Sequence, residues 1–220
     1  MFPKSLILTV LFLSSFFSLQ AQEAGPEGSD PKANDALDQM AKVYAGYKDL
    51  TGDFMQKLES PDLKTPEVKQ GKAAIRGNKY RIQFPDEEYV CDEKTIWVYI
   101  KSANEVNITD AADNVDNFTP DKIFRIYKTT KNRYIGEVQE AGKTYTEVEL
   151  YAVKDETSFS KIQVWINKSS HLPERIKIFN RNATQITFEL TNIKTNNNFP
   201  DTYFVFDPVK HPGVEIVDQR

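Results

Sequence analysis

The spacing of apolar positions changes once along the chain, from a helical period to a period of two. Between residues 32 and 50, apolar side chains recur every three or four positions, at Leu37, Met40, Ala41 and Tyr44, with Asp and Lys between them. This spacing predicts one amphipathic helix. Beyond residue 50 the alternation is that of half-buried strands, as in "YRIQF" at residues 80–84.

The alternating part of the chain divides into many short candidate strands, with Asn, Gly, Asp and Pro in the gaps. These predicted strands are residues 53–59, 70–76, 79–84, 87–91, 95–100, 104–109, 133–140, 143–151, 160–167, 174–180, 184–193 and 202–206. Short, regularly spaced strands without long crossover helices indicate a large antiparallel sheet, curled or closed, and not a parallel α/β fold.

One apolar segment interrupts the strands. In "NFTPDKIFRIYK", residues 117–128, Thr119 suits a helix N-cap and Pro120 suits the first helical position. Ile123, Phe124 and Tyr127 can then share one face. The segment predicts a short apolar helix inserted between strands.

Several predicted strands are apolar on both faces, notably "TIWVYI" (residues 95–100) and "KIQVWIN" (residues 161–167). A sheet with one solvated face does not need this pattern. Two explanations remain open: the two helices cover the second face, or that face lines a cavity.

The N-terminal residues have the pattern of a secretory signal peptide. Lys4 precedes a mostly apolar run over residues 6–19, and Leu19-Gln20-Ala21 resembles a cleavage site. The run is too short for an ordinary membrane span. We expect residues 1–21 to be removed, residues 22–31 to form a flexible leader and residues 32–220 to form one exported, soluble and monomeric domain.

Charge and cysteine content exclude several classes of function. The net charge is −4, and removal of Lys4 with the predicted signal peptide makes it −5, which argues against a nucleic-acid-binding protein. The single cysteine, Cys91, cannot form an internal disulfide, and its strand-like neighbours predict a small buried hydrophobic residue.

No residue pattern indicates covalent chemistry. "GEVQEAGKT" (residues 136–144) has the wrong glycine spacing for a phosphate-binding loop, and the strands on both sides predict a hairpin turning at residues 141–142. His171 and His211 lie in turn-like surroundings without metal-ligand spacing. Asp86, Glu87 and Glu88 are predicted to be turn or edge charges. The sequence therefore predicts no enzyme, no metal and no cofactor.

Residues 71–99, "GKAAIRGNKYRIQFPDEEYVCDEKTIWVY", resemble the LolA family of periplasmic lipoprotein carriers. In that family a glycine and a short strand precede Arg-Pro-x-x-Phe, and an alternating strand leads to Ser-Asp-Gly-Lys-x-Leu-Trp-x-Tyr. "TPDKIF" and "FVFDPVKHPGVEIVD" resemble the family's Thr-Pro helix and closing segment. This chain departs from the pattern at Gly77, Tyr80 and Glu93, which stand where the family has proline, phenylalanine and glycine.

The resemblance implies a mainly β fold: an incomplete antiparallel barrel of about 11 strands, with helices forming a lid over an apolar cavity. The family's lid-facing arginine and aromatic residue match Arg76 and Tyr80, so Arg76 is expected to hydrogen-bond the lid helices and hold them closed. The expected cavity lining is Tyr80, Ile82, Phe84, Trp97, Ile123 and Phe124.

The same resemblance implies a function in the periplasm. The protein is expected to carry the acyl chains of lipoproteins from the inner to the outer membrane, receiving them from an inner-membrane release complex and passing them to an outer-membrane acceptor. The alternative is a lipid- or glycolipid-binding or lipoprotein-sensing module of the same fold.

Overall fold

The computed structural model describes residues 28–112, 124–154 and 157–220 as a single twelve-stranded sheet with one long helix. The helix is α1 (Pro31–Ala45). The strands are β1 (Leu50–Glu59), β2 (Glu67–Arg76), β3 (Lys79–Gln83), β4 (Glu87–Asp92), β5 (Thr95–Ile100), β6 (Glu105–Asp110), β7 (Thr130–Glu140), β8 (Lys143–Ala152), β9 (Phe159–Asn167), β10 (Pro173–Asn180), β11 (Gln185–Thr195) and β12 (Glu215–Asp218).

The sheet consists of two antiparallel meanders joined side by side. Its order is β12-β6-β5-β4-β3-β2-β1-β11-β10-β9-β8-β7, so β1 and β11 connect the meander β1–β6 to the meander β7–β11. The sheet is open, with β12 and β7 at its edges. The predicted mainly β, half-barrel fold is confirmed, with twelve strands in place of about eleven and one parallel pair, β12 with β6.

Helix α1 packs on one face of the sheet, which we call the inner face. Asp30 caps its N-terminus by accepting a hydrogen bond from the Lys32 backbone N–H at 2.8 Å. The fully buried Ala33, Leu37 and Met40 form the stripe that contacts β8, β9 and β10. The prediction extended the helix to residue 50, but it ends at Ala45, and Leu50 already belongs to β1.

The opposite, outer face is covered over β2–β6 by residues 196–214, which we call the C-terminal segment. Residues 202–206 were predicted to be a strand, but Asp201–Phe204 form a 3₁₀-helix. The backbone N–H groups of Tyr203 and Val205 bond locally to Pro200 and Thr202, so no neighbouring strand is needed. Strand β12 was missed because its side chains are mostly exposed, with Ile216 54% exposed.

Arg76 was predicted to hold a lid over the cavity, and the structure contradicts this placement. Its guanidinium points to the outer face, where it donates to the Phe199 carbonyl and to Asp201 Oδ1, the latter at 2.9 Å. It also lies 3.6 Å from the buried carboxylate of Asp49 and over the ring of Phe204. Arg76 therefore fixes the C-terminal segment to the sheet.

Asp49 joins three parts of the chain at this point. Its carboxylate accepts hydrogen bonds from the Asn197 backbone and side chain and from the Phe199 N–H, while the residue itself directly precedes β1. Burial opposes ionisation, but the bonds from Asn197 and Phe199 and the charge of Arg76 hold the pKa of Asp49 below its usual range.

We predict that Arg76→Leu lowers the free energy of unfolding by about 2 to 4 kcal/mol, because it removes charge-assisted bonds and leaves a buried carboxylate poorly paired. Urea denaturation measures this. Arg133→Leu, at an exposed arginine of β7, is the matched control and should change stability by less than about 0.5 kcal/mol. Equal effects of the two substitutions would contradict the role given to Arg76.

The Asp49 carboxylate also predicts a pH dependence. Because its pKa is lowered in the folded state, its contribution is fully present above the unfolded pKa of about 4 and is lost as pH falls through the folded value. Asp49→Asn should therefore be less stable than the native protein at pH 7, with the difference shrinking below about pH 4. A difference independent of pH, measured by urea denaturation, would show that the carboxylate charge contributes nothing.

Candidate binding cavity

A cavity of about 390 Å³ lies on the inner face beside α1. Its floor is formed by the central strands β1 and β2, through Leu50 and Phe54 of β1 and Ala73 and Ile75 of β2. Ala73 carries only a methyl group, whereas its neighbours on the floor are larger. Gly52 and Gly71 occupy the same face of the two strands, opposite Ala73 and Phe54.

The two glycines are required because neighbouring chain passes very close to them. A Cβ at Gly71 would lie 1.9 Å from the Gln83 carbonyl oxygen, and one at Gly52 would lie 2.6 Å from the Thr191 carbonyl oxygen. The β1–β11 register also shifts between Thr51 and Asp53, which indicates a bulge at Gly52. Local bending of β1 and β2 thus depends on residues without side chains.

A pair of stacked aromatic rings lines one end of the cavity. Tyr44, near the C-terminus of α1, and Phe124 have ring centroids 3.6 Å apart and planes inclined by 12°. The Tyr44 hydroxyl also lies 3.4 Å from the Gly77 carbonyl oxygen, at the β2–β3 turn. This contact connects the helix to the rim of the opposite meander.

The other end of the cavity is surrounded by Phe54, Phe84, Tyr89 and Phe188. Phe54 lies at the centre, with its ring centroid 5.9 Å from Phe84 and 5.8 Å from Phe188. Tyr89 meets Phe84 edge-on at 6.1 Å. These rings offer a large apolar surface to a flexible hydrocarbon chain.

The hydroxyl groups and the thiol on the β3–β4 wall are kept in their neutral form. Burial raises the pKa of the Tyr80 hydroxyl, which is hydrogen-bonded to Cys91, and burial together with Glu87 raises the pKa of Tyr89. Burial also raises the pKa of the Cys91 thiol, which is 1% exposed, as the sequence predicted for a buried hydrophobic residue. The wall suits an uncharged ligand.

Four of the predicted cavity residues lie on the cavity wall: Tyr80, Ile82, Phe84 and Phe124. Their role in binding stays a prediction. The prediction that Trp97 lines the cavity is wrong, because Trp97 packs on the outer face with Tyr99 and Ile108. Ile123 lies outside the described residues, as do Thr119 and Pro120. Residues 124–126 are helical and Tyr127–Thr129 form a 3₁₀-helix, as expected for the end of the inserted helix.

Lining residues on α1, β1 and β11 were not predicted; they include Tyr44, Leu50, Phe54, Phe188 and Leu190. A signal was present in β1, where Leu50, Gly52 and Phe54 occupy alternate positions on one face. A glycine inside such an alternation indicates a bulge or a close approach of backbone. The residues of β11 reach the cavity because β11 pairs with β1, and the local sequence pattern does not reveal which strands pair.

The other motifs have structural roles. Ala141 and Gly142, both with positive φ, form the predicted hairpin turn between β7 and β8. His171 lies 3.1 Å from the Gln39 amide, and His211 stacks on Phe206, so both are half-buried and packed. Glu87 and Glu88 point to opposite faces and pair separately with Lys69 and Arg81.

Within residues 28–112, 124–154 and 157–220, no group of His, Cys, Asp and Glu side chains could hold a metal ion. No helix in those ranges has both the length and the apolar character needed to cross a bilayer.

Comparison with curated proteins finds an uncharacterized protein of Methanocaldococcus jannaschii that is 25% identical over 211 residues. The match covers 93% of this chain and 58% of the archaeal protein, so the chain spans less than two thirds of that relative.

Solved structures share the fold at low identity. An uncharacterized conserved protein from Thermus thermophilus has a TM-score of 0.57 and 13% identity, covering 86% of this chain and 99% of its own. LprF from Mycobacterium bovis has a TM-score of 0.50 and 11% identity, covering 79% and 97%. A chain of the Pseudomonas aeruginosa MucA/MucB complex has a TM-score of 0.50 and 15% identity, covering 80% of this chain but 61% of its own.

The family comparison identifies the fold more specifically. The sequence profile of the outer membrane lipoprotein carrier protein LolA matches residues 45–207. The match begins at the end of α1, includes β1–β11 and ends in the C-terminal segment, so it contains both halves of the sheet around the cavity. The resemblance seen in residues 71–99 is thereby confirmed, and the chain belongs to the LolA family of outer membrane lipoprotein carrier proteins.

Proposed function

We propose that this protein is a periplasmic carrier that binds acyl chains of lipoproteins and ferries them from the inner to the outer membrane. The observation that carries the proposal is the apolar cavity between the floor at Ala73 and the Tyr44–Phe124 pair. Its volume of about 390 Å³ lies within the range of ordinary ligand sites. The carrier performs no covalent chemistry and requires no metal or cofactor.

The size of the cavity is consistent with reversible binding. Each methylene transferred from water gains about 0.8 kcal/mol, so a fully buried sixteen-carbon chain gains roughly 12 kcal/mol. Three such chains would exceed the ~20 kcal/mol that limits non-covalent binding. A cavity with an open side buries only part of the acyl chains, which keeps the net affinity low enough for release.

In this proposal the Tyr44–Phe124 stack replaces Arg76 as the closing contact. Separating two stacked rings costs about 0.5 to 1.5 kcal/mol beyond their buried area. An arriving acyl chain replaces the lost ring contacts with its own, so opening and loading are coupled. Handover then needs an acceptor with a more favourable cavity. The proposed partners are an inner-membrane release complex and an outer-membrane acceptor.

The proposed export route is the cleavable signal peptide at residues 1–21, and the carrier acts as a monomer. Native mass spectrometry of the protein purified from its own host tests the cargo. A bound triacylated lipopeptide supports the carrier, and a bound glycolipid supports the alternative of a lipid-binding module. Protein that carries neither ligand, even after incubation with a triacylated lipopeptide, would contradict the proposal.

We predict that Ala73→Phe lowers affinity for a fluorescent apolar ligand such as N-phenylnaphthylamine at least tenfold, because the new ring fills the cavity floor. Val68→Phe adds the same ring at a position that is 54% exposed and should bind normally. Ala73→Leu serves as a milder filling variant if the phenylalanine disturbs folding. If folded Ala73→Phe and Ala73→Leu bind the dye as tightly as the native protein does, the apolar ligand does not bind in this cavity.

A further inference from the structure

The inner face of β1 and β2 changes from apolar to polar at one cross-strand pair. Beyond the Phe54–Gly71 pair, the next residues on the same face are Gln56 and Lys69, which lie directly opposite each other. Gln56 lines the cavity and also pairs in register with Phe188 of β11. A polar pair therefore borders the apolar cavity at the end away from Tyr44.

Lys69 is held in place but keeps one donor. Its ammonium group lies 2.9 and 3.1 Å from the two oxygens of Glu87, and Glu87 also accepts from the Tyr89 hydroxyl at 2.6 Å. A lysine ammonium has three N–H donors, so one stays available. The nitrogen lies 5.8 Å from the ring centroid of Phe84, on the cavity wall.

Gln56 supplies a second donor beside it. Within the part of the chain that the structure describes, its side-chain amide makes no hydrogen bond, although the residue is only partly exposed. Gln56 and Lys69 are directly opposed on adjacent strands, so their Cβ atoms lie roughly 5 Å apart. From these positions both flexible side chains can reach a carbonyl oxygen placed between them, each donating one N–H.

We propose that Gln56 and Lys69 form a subsite for the acyl carbonyl of an ester- or amide-linked fatty chain whose tail lies in the cavity. This inference rests on the proposed function and specifies how the cargo is oriented. The carbonyl lies at the Gln56–Lys69 pair, and the tail points towards the Tyr44–Phe124 stack. The linked, polar part of the cargo then leaves the cavity past the ends of β1 and β2.

The length of the floor matches this orientation. Ile75, on the cavity wall, lies six residues from Lys69 along β2, a distance of roughly 20 Å at about 3.3 Å per residue. Carbon–carbon bonds of about 1.5 Å give an extended chain an advance of roughly 1.3 Å per carbon. The floor therefore accommodates about fifteen carbons.

The surrounding charges favour a neutral carbonyl over a free carboxylate. Lys69 is already neutralised by Glu87. No surplus positive charge is available at this pair, so a fatty acid would bring an uncompensated charge next to the Glu87 carboxylate.

Binding of two chain-matched ligands tests the subsite. The ligands are N-methylmyristamide and myristic acid at neutral pH, each measured by displacement of N-phenylnaphthylamine, which has no carbonyl. The native protein should bind the amide more tightly than the acid. Gln56→Leu and Lys69→Met should each weaken amide binding about fivefold to tenfold, the effect of one hydrogen bond, and leave the dye affinity within about twofold.

Lys72→Met is the matched charge control, because Lys72 lies on the outer face with its side chain 78% exposed. It should leave amide binding unchanged. The subsite is overturned if either Gln56→Leu or Lys69→Met binds the amide as tightly as the native protein, or if the acid binds more tightly than the amide. Dye binding by the native protein in the same experiment distinguishes failure of the subsite from failure of the proposed function. The proposed function fails only if no apolar ligand binds.

Discussion

The cavity depends on a small side chain at the centre of its floor. Ala73 of β2 contributes a single methyl group between the larger Ile75 and Phe54. On the same face, Gly52 and Gly71 let β1 and β2 lie so close to neighbouring backbone that a Cβ would collide with a carbonyl oxygen. An ordinary strand would place larger side chains there and fill the space with core. The capacity to bind a ligand thus depends on small residues that stabilise nothing by themselves.

The two meanders around this floor are stabilised in different ways. Over β8–β10, helix α1 buries Leu37 and Met40 and forms an ordinary packed core. Over β2–β5 the inner face carries a smaller buried cluster, which includes Tyr80 and Ile96, beside the cavity. The outer face of the same meander is buried under the C-terminal segment by residues such as Tyr99 and Phe206. These strands are thus stabilised from both faces, and Arg76 and Asp49 fix the segment that covers the outer one.

Much of this architecture could be predicted from local sequence. Alternation with period two located eleven strands to within a few residues, and helical spacing located α1, because both patterns depend on side chains a few positions apart. In β5 the alternation places Trp97 and Val98 on opposite faces of the sheet. Because both faces of β5 are apolar, the pattern could not indicate that Trp97 is the residue facing the C-terminal segment. The hydrogen-bond acceptors of Arg76, Phe199 and Asp201, lie more than a hundred residues away, and sequence spacing alone could not identify them.

The most direct test of the account is to locate a bound acyl chain on the protein. A myristamide carrying a photoreactive diazirine at its tail end can be cross-linked to the native protein, and the labelled peptides identified by mass spectrometry. We expect labelling of the residues around the closed end of the cavity, Tyr44, Leu50, Tyr80 and Phe124. Labelling concentrated on the outer face, at Trp97 or Phe206, would contradict the claim that the inner cavity is the binding site.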